Sequence, residues 1–340
     1  MGMVGGLDVH RGQVTVDWVD HDTGESGKGR ITPATRQSFA RWLDRFAGRE
    51  IELVVEGCTG WRFIAEECQR AGVKVHVADP AEAAHLSRSN KRRAKTDRID
   101  ARKLRELAER GEVPDSWIPP FHVLEVRTKV RLYHDLIDER SSWQHRIAAT
   151  LFHLGADKQE KLLLGDRSRL HASDALTPAA RDAIETALRM IETLDGEVER
   201  LRAELVAYSH RQAGCVELAK EFGIGPLTAV TVWSELGDTR RFSSSDDAVR
   251  HTGLDITVYS SDGRRVRGHI TRQGSPLLRW AMFEAARHAC KPTSPDHDYY
   301  LEVAERLGKK RAALSVARKL TRRCHHRLRA LGDDAFAPAS

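Results

Sequence analysis

No run of about 18 apolar residues occurs in the chain, so nothing in it reads as a membrane-spanning helix. No charged-then-apolar stretch opens it, and the expectation is a cytoplasmic protein with no membrane partner. Cysteine is scarce, with five residues and no C-x-x-C pair. An odd count without paired spacing argues against both a disulfide framework and a zinc site, and Cys58, Cys68, Cys215, Cys290 and Cys324 read as reduced packing thiols. His288, Cys290, Asp296, His297 and Asp298 look superficially like metal ligands, but their spacing fits no tetrahedral site.

Positive charge is what the chain has in excess. Lys and Arg number 55 against 49 acids among 340 residues, a net charge of +6, and the basic residues are clustered. Such a surface expects a polyanionic partner. Nucleic acid is favoured over a membrane surface because no basic amphipathic segment carries a bulky apolar face. The length permits two or three domains, each with its own core.

Residues Val4 to Val19 pattern as a hairpin whose second strand alternates Val14, Val16 and Trp18 inward with polar residues outward. A short strand over Gly27 to Thr32, a helix from Pro33 to about Phe46, a strand Ile51 to Val55, a helix Trp61 to Ala71 and a strand Val73 to Val77 follow. Strand, helix, strand in alternation predicts an α/β sandwich with parallel pairing. Two stretches nearly free of proline, Phe121 to about Ala156 and Pro178 to about Arg211, repeat apolar residues at helical spacing and predict two long antiparallel helices. Further on, G-I-G at Gly223 to Gly225 resembles the turn of a helix-hairpin-helix, whose glycines would admit a phosphate, although a plain interhelical turn fits equally well. Helices are expected from Leu277 to His288 and from Leu301 to Leu331, with a loose tail from Gly332 to Ser340.

The chemistry gathers on K-T-D-R-I-D-A, Lys95 to Ala101. Asp97 and Asp100 stand three residues apart, so a helix puts them on one face. Like charges that close repel unless a cation neutralises them, and oxygen ligands suit Mg²⁺, with Mn²⁺ as a second choice. Asp8 ends the apolar run G-G-L-D and Glu56 ends I-E-L-V-V-E, so each stands at the tip of a buried strand. The simpler alternative makes Asp8 and Glu56 strand-end acids and Asp97 the N-cap of a helix beginning at Arg98. Just ahead of these acids lie Arg88, Lys91, Arg92, Arg93 and Lys95, cations that would ease phosphates towards an acidic cleft.

In order, D8-V-H-R, V-V-E56-G-C-T-G-W and K-T-D97-R-I-D100-A resemble the D, E, D, D signature of the IS-one-hundred-ten family of insertion-sequence transposases, itself related to the pilin-gene invertases. The resemblance implies an α/β RNase H-like (RuvC-like) N-terminal domain in which Asp8, Glu56, Asp97 and Asp100 bind Mg²⁺. It further implies a helical coiled-coil insertion and a mostly α-helical C-terminal transposase domain. H-T-G-L-D-I-T-V-Y-S-S-D-G-R-R-V-R-G-H-I-T-R-Q-G-S-P-L-L-R resembles that last domain, whose catalytic serine stands two residues after an aromatic. Counted from Tyr259 this is Ser261, with Ser260 the alternative because Asp262 intervenes before Gly263. By residue chemistry alone S-S-D-G is good β-turn material.

The expected division is therefore 1–118 RuvC-like, 119–213 helical hairpin, 214–331 transposase domain and 332–340 tail. The expected activity is DNA strand cutting and rejoining through a phosphoserine intermediate by a homo-oligomer, dimer or tetramer, guided by a structured noncoding RNA. Nucleic-acid contacts are expected from the run ahead of Asp97, from Arg264, Arg265, Arg267 and Arg272, and from Lys309, Lys310 and Arg311. The rival readings are a metal-dependent Holliday-junction-type nuclease, with water as nucleophile, and a nucleic-acid-binding protein without catalysis.

Overall fold

The computed structural model describes residues 2–87, 96–155, 176–261 and 264–339, with backbone alone for 81, 84, 87, 258–261 and 264–267. The chain divides into two units, Met1–Ile118 and Pro119–Ser340.

In the first unit a five-stranded sheet is ordered β3-β2-β1-β4-β5. Its strands are β1 Met3–Val9, β2 Val14–Asp20, β3 Ser26–Ile31, β4 Ile51–Glu56 and β5 Lys74–Ala78. The first three pair antiparallel, while β1 to β4 and β4 to β5 pair parallel. Helices α1 Arg36–Asp44, α2 Trp61–Arg70, α3 Pro80–Ser87 and α4 Asp97–Glu109 complete the unit. This three-strand antiparallel start with a parallel continuation, covered by helices, is the RNase H-like arrangement.

Strand parity separates two cores. Met3, Leu7 and Val9 of β1, with Leu53 and Val55 of β4, pack against Phe39 and Trp42 of α1 and Ile64 and Cys68 of α2. Val4 and Val54 face the other way, onto Leu104 and Leu107 of α4. Successive side chains alternate along a strand, so Gly6, Asp8 and Glu56 share the α4 face. The polar-outward expectation for β2 fails here. Thr15 and Asp17 are buried like Val14 and Val16, because α4 lies across the face that was expected to meet water. Asp17 then needs a partner and finds Arg105 of α4, Nε to Oδ1 at 2.7 Å. Gly6 lets the helix lie so low: a Cβ there would stand 1.9 Å from the carbonyl oxygen of Ala101.

The second unit opens with α5 Phe121–His153 and α6 Pro178–Arg211. Lys129 meets Glu204 at 2.9 Å and Arg140 meets Asp195 at 3.2 Å, so partner numbers fall as the chain advances and the two helices run antiparallel. Their far end closes on Ile147, Leu151, Leu176, Ile184 and Leu188. The near end of α5 is fastened to the next long segment. Arg127 donates to the Ser234 carbonyl and Arg131 to the buried Glu235, both at the C-terminal end of α8 Pro226–Leu236, which follows the short α7 Ala213–Leu218.

Then come α9 Ser245–Thr252, an antiparallel ribbon of β6 Ile256–Ser261 and β7 Arg264–Ile270, α10 Pro276–Arg287, α11 His297–Leu307 and α12 Lys309–Leu331. The single helix expected from Leu301 breaks at Gly308, whose φ of 85° no helix accommodates. Gly223 also has a packing reason. At φ 88°, a Cβ on it would stand 2.4 Å from the Ala285 carbonyl of α10, so the G-I-G turn serves close helix contact at that residue. Residues 332–337 form a docked turn where a loose tail was expected: Trp233 Nε1 donates to the Ala335 carbonyl at 2.7 Å, and Phe336 stacks on the same indole.

Candidate functional site

Asp8 is the penultimate residue of β1 and Glu56 the last of the neighbouring parallel strand, each one residue past the Leu7–Val55 pair, so both acids emerge at the same end and face of the sheet. The same face receives the first turn of α4, which carries Asp97 and Asp100. Thr96 is the N-cap of α4, its side chain accepting from the Ile99 amide, so the capping alternative does not explain Asp97. Asp97 is left to accept a hydrogen bond from Gln13 Nε2 at 3.2 Å.

The hairpin between β1 and β2 closes through the His10 amide on the Gln13 carbonyl at 2.9 Å. His10 Nε2 then lies 3.1 Å from Asp8 Oδ2 and 3.5 Å from Asp97 Oδ1. Ligand-type atoms of Asp8, His10 and Asp97 all fall within 4.8 Å of one another, the group among the described residues that is able to hold an ion. Asp8 is only 9% exposed. Burial raises its pKa first, His10 pulls it back, and the charges of Asp97 and Asp100 raise it further. Burial likewise pushes the Cys58 thiol up, with Glu56 and Asp8 adding to the effect, which puts both carboxylates in one field. Asp100 is held by Lys103 at 3.2 Å. The donor set is rich in oxygen, carries a surplus of negative charge and is partly withdrawn from water, so it fits a divalent cation.

A carboxyl whose folded pKa lies above its unfolded value binds protons more readily in the native state. Its contribution to stability is full below the ordinary carboxylate range and declines as pH rises through the folded pKa. Asp8→Asn should therefore raise the unfolding temperature at neutral pH in chelator, by a few degrees if roughly 1 kcal/mol is relieved, with the gain vanishing near pH 4 and reversing when a divalent cation is added. Calorimetry of the two proteins checks this. A variant less stable in chelator at neutral pH would contradict the charge assignment.

Ser260 and Ser261 stand at the end of β6 on extended backbone, opposite Arg265 and Arg264 of β7, and Val258 is opposite Arg267. Asp262 and Gly263, the centre of the expected β-turn, lie outside the described residues, and Ser261 pairs with Arg264 on either side of them. The root of this ribbon is clamped. The Thr271 amide donates to Asp255 and that of Arg272 to Gly253, while Arg318 Nε reaches the Leu254 carbonyl at 2.7 Å. Arg272 adopts φ 57° and is exposed. Its charge, after burial, lowers the pKa of Arg279 on α10, so two cations share one region beside the ribbon.

The basic residues of α12 separate into two classes. Arg323 pairs with Glu221 and Asp296, Arg327 with Glu217 and Glu221, and Lys319 with Asp296, all within the fold. These belong to the protein's own interior balance. Lys309, Lys310 and Arg311 are exposed in the first turn of the helix, where cations oppose its dipole and gain the fold nothing. Arg88, Lys91, Arg92, Arg93 and Lys95 lie outside the described residues. Sequence reasoning passed over His10 and Gln13; the H in D-V-H was visible, but only the closed hairpin aims it at Asp97.

Residues 5–154 match the family model of the DEDD transposase of IS110, and residues 216–301 match that of the transposase IS116/IS110/IS902 family. The first match spans all four acids and the second spans Ser261. The chain belongs to the IS110 family of transposases. It is 23% identical over 300 residues to the transposase for insertion sequence element IS1111A of Coxiella burnetii, covering 86% of this chain and 81% of that protein. It is 25% identical over 244 residues to the transposase for insertion sequence element IS1328 of Yersinia enterocolitica, covering 69% and 70%. A probable family 20 transposase of Pseudomonas aeruginosa is 22% identical over 290 residues, covering 83% and 82%. This IS110-family transposase therefore has DNA as its substrate, and none of its described helices is long and apolar enough to cross a membrane.

As a DNA-binding enzyme it should lose affinity steeply with salt, by about 0.9 in the log–log slope for each phosphate neutralised. Replacing Lys309, Lys310 and Arg311 together by Ala should flatten that slope by roughly 2–3 while leaving the fold intact. A slope unchanged in fluorescence-anisotropy titrations would show these three to be a solvated face.

Proposed function

We propose that this transposase cuts and rejoins DNA with Asp8, Glu56, Asp97 and Asp100 holding Mg²⁺, or Mn²⁺ in its place, and with Ser261 as the nucleophile. The observation that carries the metal half is the convergence of Asp8 and Asp97 on the α4 face of the sheet, with Asp8 buried, Asp100 raising its pKa, and Glu56 at the end of the neighbouring strand on the same face. Bound there, a divalent ion would act as a Lewis acid, offsetting the phosphate's charge so that a nucleophile can approach. The serine half rests on the family match across residues 216–301 and on the place of Ser261 after Tyr259.

In this reading the Ser261 Oγ–P bond forms as the bond from phosphorus to the departing strand's oxygen breaks, and the hydroxyl proton ends on that oxygen. The released hydroxyl end later attacks the phosphoserine, the Oγ–P bond breaks, and the serine recovers its proton. No water is consumed, so the energy of the phosphodiester is kept for resealing. Lys309, Lys310, Arg311, Arg272 and the ribbon's Arg264, Arg265 and Arg267 contact nucleic acid, as do Arg88, Lys91, Arg92, Arg93 and Lys95.

We further propose the division 1–118 for the metal centre, 119–213 for a coiled coil that joins copies into a dimer or tetramer, 214–331 for the serine domain and 332–340 for the tail. An exposed Phe152 at the far end of the helical pair supports self-association there. A structured RNA from the element's flank completes the complex and guides it, as the family resemblance implies. The test is strand transfer by purified protein on DNA carrying element ends, with that RNA and Mg²⁺. Joined product should form with the parent protein and disappear with Asp97→Ala and with Ser261→Ala. Product that persists in both variants would overturn the reading.

A further inference from the structure

His10 is placed for more than a surface hydrogen bond. Two donor atoms that occupy adjacent corners of an octahedron around an ion at 2.0–2.1 Å are about 3 Å apart. His10 Nε2 stands 3.1 Å from Asp8 Oδ2 and 3.5 Å from Asp97 Oδ1, close to that spacing on both sides at once. Gln13, across the same hairpin turn, donates to the other oxygen of Asp97 at 3.2 Å. One carboxylate oxygen is thereby tied back and the other is turned towards the imidazole. This is how an outer residue usually orients a ligand.

We propose that His10 Nε2 is itself a ligand of the divalent ion, making the centre a mixed nitrogen and oxygen site, and that Gln13 is the positioning residue for Asp97. The inference rests on the metal centre proposed above and deepens it. Its consequence is selectivity. Mn²⁺ is itself largely an oxygen-seeking ion, but a nitrogen donor costs it less than it costs Mg²⁺, so part of the preference for Mn²⁺ over Mg²⁺ should come from His10. His10 is about half exposed at a hairpin turn and supports no core, so its removal leaves the fold in place.

The experiment is Mn²⁺ binding to the full-length protein followed by pulsed electron paramagnetic resonance, with no DNA and no turnover. The parent protein should show a nitrogen hyperfine coupling on bound Mn²⁺. His10→Ala should keep Mn²⁺ binding, weakened roughly tenfold or more, and lose the coupling, and its preference for Mn²⁺ over Mg²⁺ should shrink. Gln13→Ala should keep the coupling while affinity falls roughly tenfold. Mn²⁺ bound by the parent without nitrogen coupling, or a coupling that survives in His10→Ala, would overturn the role of His10 and leave the acidic centre standing. If Asp8→Ala binds Mn²⁺ as tightly as the parent, the metal centre itself is misplaced and the inference falls with it.

Discussion

Asp97→Ala should slow strand cleavage by at least about a thousandfold, while affinity for DNA changes less than about threefold. Metal-assisted stabilisation of a transferring phosphoryl group supplies several kcal/mol, and each ~1.4 kcal/mol is a factor of ten in rate. In the reading proposed above, binding draws instead on cations placed elsewhere, such as the exposed Lys309, Lys310 and Arg311. The substitution is mild for the fold because Asp97 neither caps α4 nor packs in a core; it gives up one half-exposed hydrogen bond from Gln13. Thr96 caps α4, and the helix is held to the sheet by the Arg105–Asp17 pair and by its contact over Gly6. The variant should therefore fold like the parent, and single-turnover cleavage beside an anisotropy titration reads both numbers. A variant that cuts within tenfold of the parent would remove Asp97 from the metal centre.

The sheet, its helices and the strand-end acids were legible because they depend on local pattern. Alternation and apolar runs mark the strands, and Asp8 and Glu56 interrupt those runs at their ends. Features set by partners far along the chain were not. The burial of Asp17 needs α4, and its Arg105, on the second face of the sheet. The pairing of Arg323 and Arg327 needs Glu221, about a hundred residues earlier, so a basic run that looked uniform on paper contains both internal partners and free cations. The docking of residues 332–337 depends on Trp233 in the same way. Within the centre the D-x-x-D spacing pointed to the acids, whereas His10 and Gln13 became visible only once the hairpin brought them to the two oxygens of Asp97.

The second large effect concerns Ser261. Ser261→Ala should abolish strand transfer outright, since no neighbouring group replaces a covalent nucleophile, whereas Ser260→Ala should retain most activity. Metal binding should be unaffected in both variants, because the serines belong to the ribbon Ile256–Ser261 of the second unit and the acids to the first. This separates nucleophile from metal centre: Asp97→Ala and Ser261→Ala lose the same product for different reasons, and only the former loses bound ion.

Trapping the covalent intermediate tests this most directly. A nicked substrate whose departing strand diffuses away removes the group needed for resealing, so protein should accumulate joined to DNA. Digestion and mass spectrometry of that adduct should place the phosphate on Ser261, with no adduct from Ser261→Ala or from Asp97→Ala. Free 5′-phosphate ends with no adduct under the same trapping conditions would contradict the account and make water the nucleophile.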